Sequence, residues 1–524
     1  MAESLSDALV GGVAHLGADT VFGLPGGGPN LDVVGAAGRA GLRFVLTHGE
    51  TAACVMAATY GLLRGRPALA IATRGPGVTS AANGVAQATL DRFPLLFVSD
   101  CVPVAEAGRV VHQRIDQTRL MGPITKWSGT LGTHRSRQVV EAALRLAMAD
   151  PAGAVHLDFD PTDPGDAPAE VADPPPSGDQ AMDQARRLAS RASRPLVLAG
   201  AGCASAAAAS MQSMLGHLDC PVLLTYQAAG LVDPDASNFG GLFTNGAVER
   251  PLLDGADLIV CVGLDPVEPI PADWPSTAPV ISLHHTRIVD PYYPITVELT
   301  GPVDELLGRL HDCLGGTWPH DSGAKARRAG LEQLRSMSAV ALGPVEVVDA
   351  VVGAAPLGTL ATVDAGAHFL AVMPLWPARQ PHSLLISNGL ATMGFALPAA
   401  IGAALARPDG PIVCFVGDGG LGMTLAELET VARLGLPITV VVFNDALLSL
   451  IAVKQTTGHG GDGAVRYRST DFAAVARASG LEAIAVDTAA DLADAVASGW
   501  DAPRLIDVAV DPTPYAHLIR VTRG

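Results

Sequence analysis

The sequence has few aromatic residues, few basic residues and no long apolar run. Phe, Trp and Tyr make up 4% of the 524 residues, and 34 Lys and Arg residues stand against 52 Asp and Glu residues, giving a formal net charge of -18. The shortage of basic residues, and the lack of any Lys- or Arg-rich stretch, exclude a nucleic-acid footprint and a polybasic membrane patch. Because no stretch holds 18 uninterrupted apolar residues, no membrane-spanning helix is expected.

Cysteine is also scarce. The seven cysteines show neither CxxC nor Cys/His ligand spacing, which is typical of reduced thiols in the cytoplasm rather than of a disulfide framework or a zinc site. The N-terminus, MAESLSDALVGG, is acidic and helical in pattern, where a secretory signal would have a basic segment and an apolar run. The sequence therefore predicts a cytoplasmic protein.

Aliphatic residues, Gly and Ala are abundant, and they form apolar runs that alternate with helical patterns. ALAIAT and PLLFVSD read as strands, whereas ETAACVMAATYGLL reads as a helix, which is the signature of βαβ units in a parallel sheet. Segments rich in Pro, Gly and charge at 160–180 and 315–328 are predicted linkers. We therefore predict an α/β protein of three domains, each a parallel sheet flanked by helices, over residues 1–163, 180–312 and 331–524.

The stretch CFVGDGGLGMTLAELETVARLGLPITVVVFND carries the chemistry of the last domain. Three glycines follow its first predicted strand: Gly417, Gly419 and Gly420. Their N–H groups, at the start of the predicted helix TLAELETVARLG, are expected to bind an anion, most naturally phosphate. Asp418 can hold a divalent cation that neutralises this phosphate, and the next strand ends in an Asn-Asp pair whose second member is Asp445. Because Mg²⁺ prefers oxygen donors, the segment predicts a metal-diphosphate site.

With this spacing the chain resembles thiamine diphosphate (ThDP) enzymes of the acetolactate synthase, pyruvate oxidase and benzoylformate decarboxylase superfamily. Their motif is Gly-Asp-Gly followed by Asn-Asn, and the distance between the two parts is close to the 27 positions that separate Asp418 from Asp445 here. The preceding segment, ISNGLATMGFALPAAIGAALARPDG, resembles the C-terminal domain of acetolactate synthases without gaps. The resemblance implies the arrangement of pyrimidine-binding (PYR), middle and diphosphate-binding (PP) domains, with ThDP and Mg²⁺ as cofactors.

Carried over by position, the resemblance also implies ligands. Asp418, Asp445 and the backbone carbonyl of Leu447 would hold the metal, with Asp445 standing where the family has Asn. Other positions match residues that contact the cofactor in the family: Gly75, Pro76, Gly366, His368, Ala391, Met393, Gly417, Gly419 and Gly420. Ala367 departs from the family pattern because it lacks a glutamine side chain beside the diphosphate.

Catalytic residues are implied in the first domain. Glu50 matches the glutamate that hydrogen-bonds the pyrimidine ring of the cofactor and so promotes its deprotonation at the reacting carbon. In the family this glutamate comes from the partner subunit, so a homodimer or a homotetramer with shared active sites is expected. Gln113 aligns with an active-site glutamine of acetolactate synthases. His112 and His48 are candidate proton donors, with a purely structural role as the alternative.

The resemblance implies a 2-oxo acid donor, whose acyl group is either transferred to a carbonyl acceptor or released as an aldehyde. Acetolactate synthases carry a Trp where this chain has Lys454, which either binds a substrate carboxylate or is a solvated lysine. An acetolactate synthase catalytic subunit acting on pyruvate is therefore a second hypothesis, and a non-catalytic ThDP-binding relative is a third. The Gly-rich segment 456–468 is predicted to be a lid over the site.

FAD, which several relatives bind in the middle domain, is not expected here. The segment GLDPVEPIPADW replaces the Arg-Phe-Asp-Asp run of the flavin-binding members. Gly200 and Gly202 follow the strand of RPLVLAGAG, and we interpret them as a tight strand-to-helix turn. A nicotinamide-binding protein is a remote alternative, because the full Gly-x-Gly-x-x-Gly motif with a following acid is absent.

Overall fold

A computed structural model describes residues 4–169, 175–204, 207–270, 272–288, 293–337, 341–455 and 463–524. The chain folds into two compact units. The first consists of Met1–Ala172, Gly389–Asp409 and Thr424–Leu436, and the second of Asp173–Asn388, Gly410–Met423 and Pro437–Gly524. Three six-stranded sheets are present, and all hydrogen-bonded neighbours among their strands run parallel. The predicted α/β class with three parallel sheets is confirmed, whereas the predicted domain boundaries stay a prediction.

The first sheet lies in the first unit and has the order β2-β1-β3-β4-β6-β5. Its strands are β1 (Thr20–Leu24), β2 (Arg43–Leu46), β3 (Ala68–Ala72), β4 (Leu95–Asp100), β5 (Trp127–Leu131) and β6 (Ala154–Phe159). Its helices are α1 (Leu5–His15), α2 (Pro29–Arg39), α3 (Glu50–Arg64), α4 (Pro76–Leu90), α5 (Gln117–Met121) and α6 (Ser136–Met148). Strands β3 and β4 are buried along their whole length, as expected for a parallel sheet covered on both faces.

The second sheet has the order β12-β11-β10-β7-β8-β9 and lies in the second unit. Its strands are β7 (Pro195–Ala199), β8 (Val222–Leu224), β9 (Phe239–Leu242), β10 (Leu258–Val262), β11 (Val280–His284) and β12 (Val297–Thr300). The helices of this part are α7 (Asp179–Ala189), α8 (Ala208–Gly216), α9 (Arg250–Gly255), α10 (Val303–Leu310) and α11 (Ser322–Arg335). The predicted linker at 315–328 is therefore wrong in its second half, where α11 begins, because Leu331 and Leu334 give this helix an apolar face to bury.

The third sheet, also in the second unit, has the order β14-β13-β15-β16-β18-β17. Its strands are β13 (Leu360–Val363), β14 (Leu384–Ile386), β15 (Ile412–Gly417), β16 (Ile438–Asn444), β17 (Glu482–Val486) and β18 (Arg504–Ala509). The helices of this part of the chain are α12 (Pro344–Ala354), α13 (Phe369–Leu375), α14 (Ala396–Ala406), α15 (Asp418–Thr424), α16 (Glu427–Leu434), α17 (Ser449–Gln455), α18 (Phe472–Ala478), α19 (Ala489–Ala497) and α20 (Tyr515–Arg523).

Two helices that follow strands of the third sheet in the chain, α14 and α16, are part of the first unit. Helix α14 packs so tightly on α3 that a β-carbon at Gly402 would lie 2.5 Å from the backbone oxygen of Met56. Only glycine permits this approach. None of the helices in the described ranges has both the length and the apolar character needed to cross a bilayer.

Candidate active site

The carboxyl ends of the neighbouring strands β15 and β16 bring two carboxylates into one hydrogen-bonded turn. Asp418 follows β15 directly, and Asp445 follows β16 directly. Asp418 Oδ2 accepts a hydrogen bond from the backbone N–H of Ala446 at 2.7 Å, and Asp445 Oδ1 accepts one from Leu447 at 3.0 Å. Ala446 takes up the left-handed conformation, with φ at +55°, which turns the chain back at this point. The predicted metal ligands Asp418, Asp445 and Leu447 are thus brought together.

The two carboxyl groups disfavour each other's ionisation. Burial raises the pKa of Asp418, and burial together with the charge of Asp418 raises that of Asp445. A cation would relieve this repulsion. In the described ranges no set of three or more His, Cys, Asp and Glu side chains is arranged to hold a metal ion, so a cation here would need further oxygens from the backbone, water or a phosphate.

Tyr467 is a member of this cluster that sequence reasoning missed. Its hydroxyl donates to Asp418 Oδ1 at 2.6 Å, and its backbone N–H donates to Ala446 O at 3.2 Å. It lies 49 positions beyond Asp418 in a segment without regular structure, so no local pattern pointed to it. The predicted lid at 456–468 is only partly described, because residues 456–462, with His459, lie outside the described residues.

The glycines after β15 are placed differently from the prediction. Helix α15 begins at Asp418 itself, not at Thr424, so Gly419 and Gly420 form its first turn. The Asp418 side chain accepts a hydrogen bond from Gly419 N at 2.7 Å. A β-carbon at Gly420 would lie 3.0 Å from the carboxyl carbon of the fully buried Asp364. The absence of side chains here lets the helix start directly at the end of the strand.

His368 lies beside this glycine turn with one ring nitrogen unsatisfied. The side chain is buried, stacks on Phe443 at 5.1 Å between ring centroids, and is held by a hydrogen bond to the backbone of Phe415. Its Nε2 atom has no hydrogen-bond partner among the described residues. Burial lowers the pKa of His368 to about 3, so the ring is neutral at physiological pH.

Glycines clear the space around this ring. β-Carbons at Gly366 and Gly417 would lie 2.8 Å and 3.3 Å from ring atoms of His368. A buried polar atom without a partner is costly unless a ligand or water satisfies it. The predicted residues Gly366, His368 and Gly417 therefore come together. Because the neutral ring donates its N–H to the Phe415 backbone, its Nε2 atom is left as an acceptor for a donor group of a ligand or water.

Glu50 and His48 lie at the entrance to α3 in the first unit. Glu50 is the first residue of the helix, and its Oε1 atom would lie 3.4 Å from a β-carbon on Gly77. The backbone N–H of His48 donates to Glu427 at 2.9 Å, and its imidazole Nε2 lies 2.8 Å from Glu429. The hydrogen bond to His48 lowers the pKa of Glu429. Sequence reasoning missed Glu427, which is buried and belongs to α16.

The loop that carries Gly75 and Pro76 is held by hydrogen bonds to two side chains that the sequence did not predict for the site. Gly75 N donates to Gln117 Oε1 at 2.9 Å, and Arg74 N donates to Asp100 Oδ1 at 2.6 Å. Gly75 has φ at +68°, and a β-carbon there would lie 2.6 Å from Gln113 O. The backbone of Gln113 therefore packs on the loop.

The side chains of His112 and Gln113 are exposed within the described part of the chain. Gln113, like Gly75, has a positive φ, at +57°. The contact between Gln113 and the Gly75 loop is thus made by backbone atoms, and it leaves both side chains directed to solvent or to a ligand.

Ala391 and Met393 lie on a loop that α4 fixes in place. Asn83 Nδ2 donates to Thr392 Oγ1 at 2.8 Å, and Gly389 N donates to Asp91 Oδ1 at 2.5 Å. Ala391 has φ at +53° and is exposed, and Met393 is half-buried. The backbone groups of this loop are thus held in one conformation.

Lys454 lies near the end of α17, on an exposed part of the helix. The helix begins at Ser449, whose hydroxyl donates to the Asp445 carboxylate. Lys454 is therefore joined to the carboxylate cluster through its helix.

Comparison with known proteins identifies the family. Three domain models match: the N-terminal TPP binding domain of thiamine pyrophosphate enzymes at residues 3–120, their central domain at 182–310, and their C-terminal TPP binding domain at 364–508. An acetolactate synthase of Bacillus subtilis (strain 168) is 31% identical over 97% of this chain and 93% of that protein. The chain belongs to the thiamine pyrophosphate enzyme family.

Other relatives of this thiamine pyrophosphate enzyme differ in the activity that their names give. A catabolic acetolactate synthase of Raoultella terrigena is 28% identical over 97% of this chain and 95% of that protein. A probable 2-ketoarginine decarboxylase of Pseudomonas aeruginosa is 30% identical over 90% of this chain and 88% of that protein. The predicted superfamily is confirmed, and the two TPP binding domains support ThDP as the cofactor.

Proposed function

We propose that this chain is a ThDP- and Mg²⁺-dependent enzyme that decarboxylates a 2-oxo acid without oxidation. The acyl group is then transferred to a carbonyl acceptor or released as an aldehyde. The observation that carries the proposal is the turn in which Asp418 and Asp445 meet through Ala446 N–H, next to the unsatisfied Nε2 of His368. Acidic oxygens for a metal, beside glycines whose backbone can approach a phosphate closely, fit a metal-diphosphate group.

In this proposal different residues of the chain bind the metal, the diphosphate and the rest of the cofactor. Asp418, Asp445 and the Leu447 carbonyl hold Mg²⁺, and Gly366, His368, Gly417, Gly419 and Gly420 surround the diphosphate. Gly75, Pro76, Ala391 and Met393 position the rest of the cofactor. When bound, ThDP supplies the carbanion chemistry that removes CO₂ from a 2-oxo acid.

Glu50 holds and returns a proton at the pyrimidine ring of the cofactor. Its position as the first residue of α3, half-buried beside Gly77, supports this role. His48, whose Nε2 lies 2.8 Å from Glu429, is a proton donor in this proposal. His112 and Gln113 face the substrate, and Lys454 binds a substrate carboxylate.

A homodimer or homotetramer with shared sites is part of the proposal. Three apolar side chains around the Gln113 segment are strongly exposed, namely Val104 at 63%, Val111 at 74% and Ile115 at 41%. We take these exposed apolar side chains as part of a surface that a second copy of the chain covers. A cytoplasmic location remains a prediction of the composition.

An acetolactate synthase acting on pyruvate is the second candidate function. The similarity to the Bacillus subtilis and Raoultella terrigena proteins favours it. The lysine at position 454, where those synthases are expected to carry Trp, favours a different acceptor or donor. A product assay separates the two candidates, since only the second yields acetolactate from pyruvate alone.

The test is to incubate the purified chain with ThDP, Mg²⁺ and a panel of 2-oxo acids, and to measure CO₂ and products by mass spectrometry. Glu50→Gln is expected to lower turnover at least about a hundredfold while ThDP still binds, because it removes the proton relay. Glu141→Gln, on the surface of α6, is the matched control and should retain full turnover. ThDP binding without turnover of any member of the panel would instead support a non-catalytic relative.

A further inference from the structure

A cleft in the second unit contains none of the residues predicted for the active site. It encloses about 750 Å³ of empty space, including the part open to solvent. Its walls are mainly apolar and come from strand β9 with the chain on either side of it, helix α11, helix α13 and the chain that follows α13. Leu331, Leu334, Met373 and Trp376 are among the lining residues. A mainly apolar lining with a few polar groups is typical of sites for small organic molecules.

One cation lines the cleft without an acidic partner. Arg327 is half-buried, its guanidinium lies 5.4 Å from the ring centroid of Phe239, and its Nη1 donates to Pro234 O at 3.3 Å. Within the described ranges no carboxylate lies at ion-pair distance from it. Asp235, the acid that attracts it electrostatically, is instead paired with Arg379 at 2.7 Å. A partly desolvated guanidinium of this kind is a favourable site for an anion.

A hydroxyl donor lines the same cleft. Tyr226 packs edge-on against Phe369, with 6.4 Å between ring centroids, and its hydroxyl has no hydrogen-bond partner in the part of the chain that the structure describes. Burial raises the pKa of Tyr226 to about 12, so it remains a neutral donor. The acidic wall residue Glu249 is already engaged, because its Oε1 accepts hydrogen bonds from Thr244 N at 2.8 Å and Gly246 N at 2.9 Å.

We propose that this cleft binds a small amphipathic carboxylate, whose charged end pairs with Arg327 and whose apolar body packs against Leu331, Met373 and Trp376. Helix α13, which supplies Met373, begins directly after His368. A molecule in the cleft therefore contacts the helix that follows a predicted cofactor residue. This site is separate from the proposed catalytic function and does not depend on it.

The test uses the full-length protein with 4-phenylbutyrate as the probe and 4-phenylbutanamide as its uncharged counterpart. Calorimetry and tryptophan fluorescence are expected to show saturable binding of the carboxylate, at least about tenfold tighter than binding of the amide, because only the carboxylate forms a charge-assisted pair. Trp376→Phe should remove most of the fluorescence change. Arg327→Gln should weaken carboxylate binding at least about tenfold, whereas Arg328→Gln, an exposed arginine on the same helix, should leave it unchanged.

Further variants keep the outcome unambiguous. Arg327→Lys retains the cation and should bind with intermediate affinity, so it replaces Arg327→Gln if the latter fails to fold by circular dichroism. Asp418→Ala should bind the probe as the unaltered protein does. Equal affinities for acid and amide, no saturable binding, or binding lost in Asp418→Ala but kept in Arg327→Gln would overturn the proposal.

Discussion

The turn after β7 and the turn after β15 have the same local build but different surroundings. We call Gly200–Cys203 the central turn and Gly417–Gly420 the C-terminal turn. In each, a buried strand of a parallel sheet runs into glycines and a short helix. At the central turn, Glu268 Oε2 accepts hydrogen bonds from Ala201 N at 2.9 Å and Asp265 N at 3.0 Å. At the C-terminal turn, His368 Nε2 has no partner within the described ranges.

This difference shows that a strand-glycine-helix pattern does not by itself make a ligand site. The central turn has its Ala201 N–H satisfied by the carboxylate of Glu268 and its other N–H groups satisfied by backbone carbonyls. Glu268 also accepts a hydrogen bond from the Thr225 hydroxyl. An anionic cofactor at the central turn would have to displace Glu268. The C-terminal turn, by contrast, places acidic oxygens beside glycines that permit a close backbone approach, which is a favourable place for a metal-bound anion.

The largest expected effect comes from removing the acid of the C-terminal turn. Asp418→Ala should weaken Mg²⁺-dependent ThDP binding at least about a thousandfold, because one buried charge of the cluster is lost while its partners remain. The Ala446 N–H and the Tyr467 hydroxyl also lose their acceptor. Quenching of tryptophan fluorescence by ThDP, titrated with Mg²⁺, measures the change.

Asp445→Asn is the matched control for this experiment. It keeps an oxygen donor at the same place and removes the repulsion from Asp418, so Mg²⁺-dependent ThDP binding should be retained within about tenfold. A result in which Asp418→Ala binds ThDP and Mg²⁺ as well as the unaltered chain would remove the C-terminal turn from the proposed site.

The next largest effect is a loss of stability on alanine substitution, which we compare between one glycine of each turn. In Gly200→Ala the new β-carbon would lie 2.6 Å from Gly263 O, Leu264 Cα and Glu268 Oε2, so backbone as well as side chain must move. We expect a loss of about 3 kcal/mol in unfolding free energy, measured from the urea midpoint. In Gly417→Ala the nearest atom is His368 Nδ1 at 3.3 Å, so the loss should stay below about 1 kcal/mol while ThDP binding weakens.

The opposite pattern would contradict the comparison. If Gly200→Ala were harmless, the close packing of the central turn would not be a determinant of stability. If Gly417→Ala lowered stability as much as Gly200→Ala without affecting ThDP binding, the space around His368 would be structural. Calorimetric titration of ThDP and urea unfolding on the same preparations separate the two effects.

Much of this fold could be predicted from sequence because parallel strands leave an unambiguous pattern. The runs ALAIAT, PLLFVSD and ITVVVF are mostly apolar and lie between helical segments, and they contribute β3, β4 and β16. The Gly-Asp-Gly and Asn-Asp spacing likewise pointed to the cluster of Asp418 and Asp445. These signals are local, or they join two neighbouring strands.

The site contacts that the sequence did not predict depend on long-range packing. Three such contacts join residues far apart in the sequence. Tyr467 bonds Asp418 from 49 positions away and Gln117 bonds Gly75 from 42 positions away. Glu268 bonds Ala201 from 67 positions away. No periodicity encodes such a contact, because each residue lies in a loop or at a helix start whose position depends on the whole sheet. The extension of α15 back to Asp418 was missed for a related reason, since glycines usually indicate a turn and here form the first turn of a helix.

The smallest expected effect is a change in the pH dependence of stability at the central turn. Burial raises the pKa of Glu268 to about 7 from an ordinary 4.5. Between these values the folded chain holds a proton that the unfolded chain releases, so stability falls as pH rises from about 4.5 to about 7 and levels off above that range.

The variant Glu268→Gln cannot ionise at this position. It can still accept the Ala201 and Asp265 hydrogen bonds through its amide oxygen and donate to Thr225 through its amide nitrogen. The variant should therefore be more stable than the unaltered chain by about 3 kcal/mol at pH 8 and nearly equal to it at pH 4.5. Urea unfolding at both pH values measures this. Parallel curves for the two proteins would mean that Glu268 ionises freely in the folded state, and the central turn would then differ less from the C-terminal turn than its hydrogen bonds suggest.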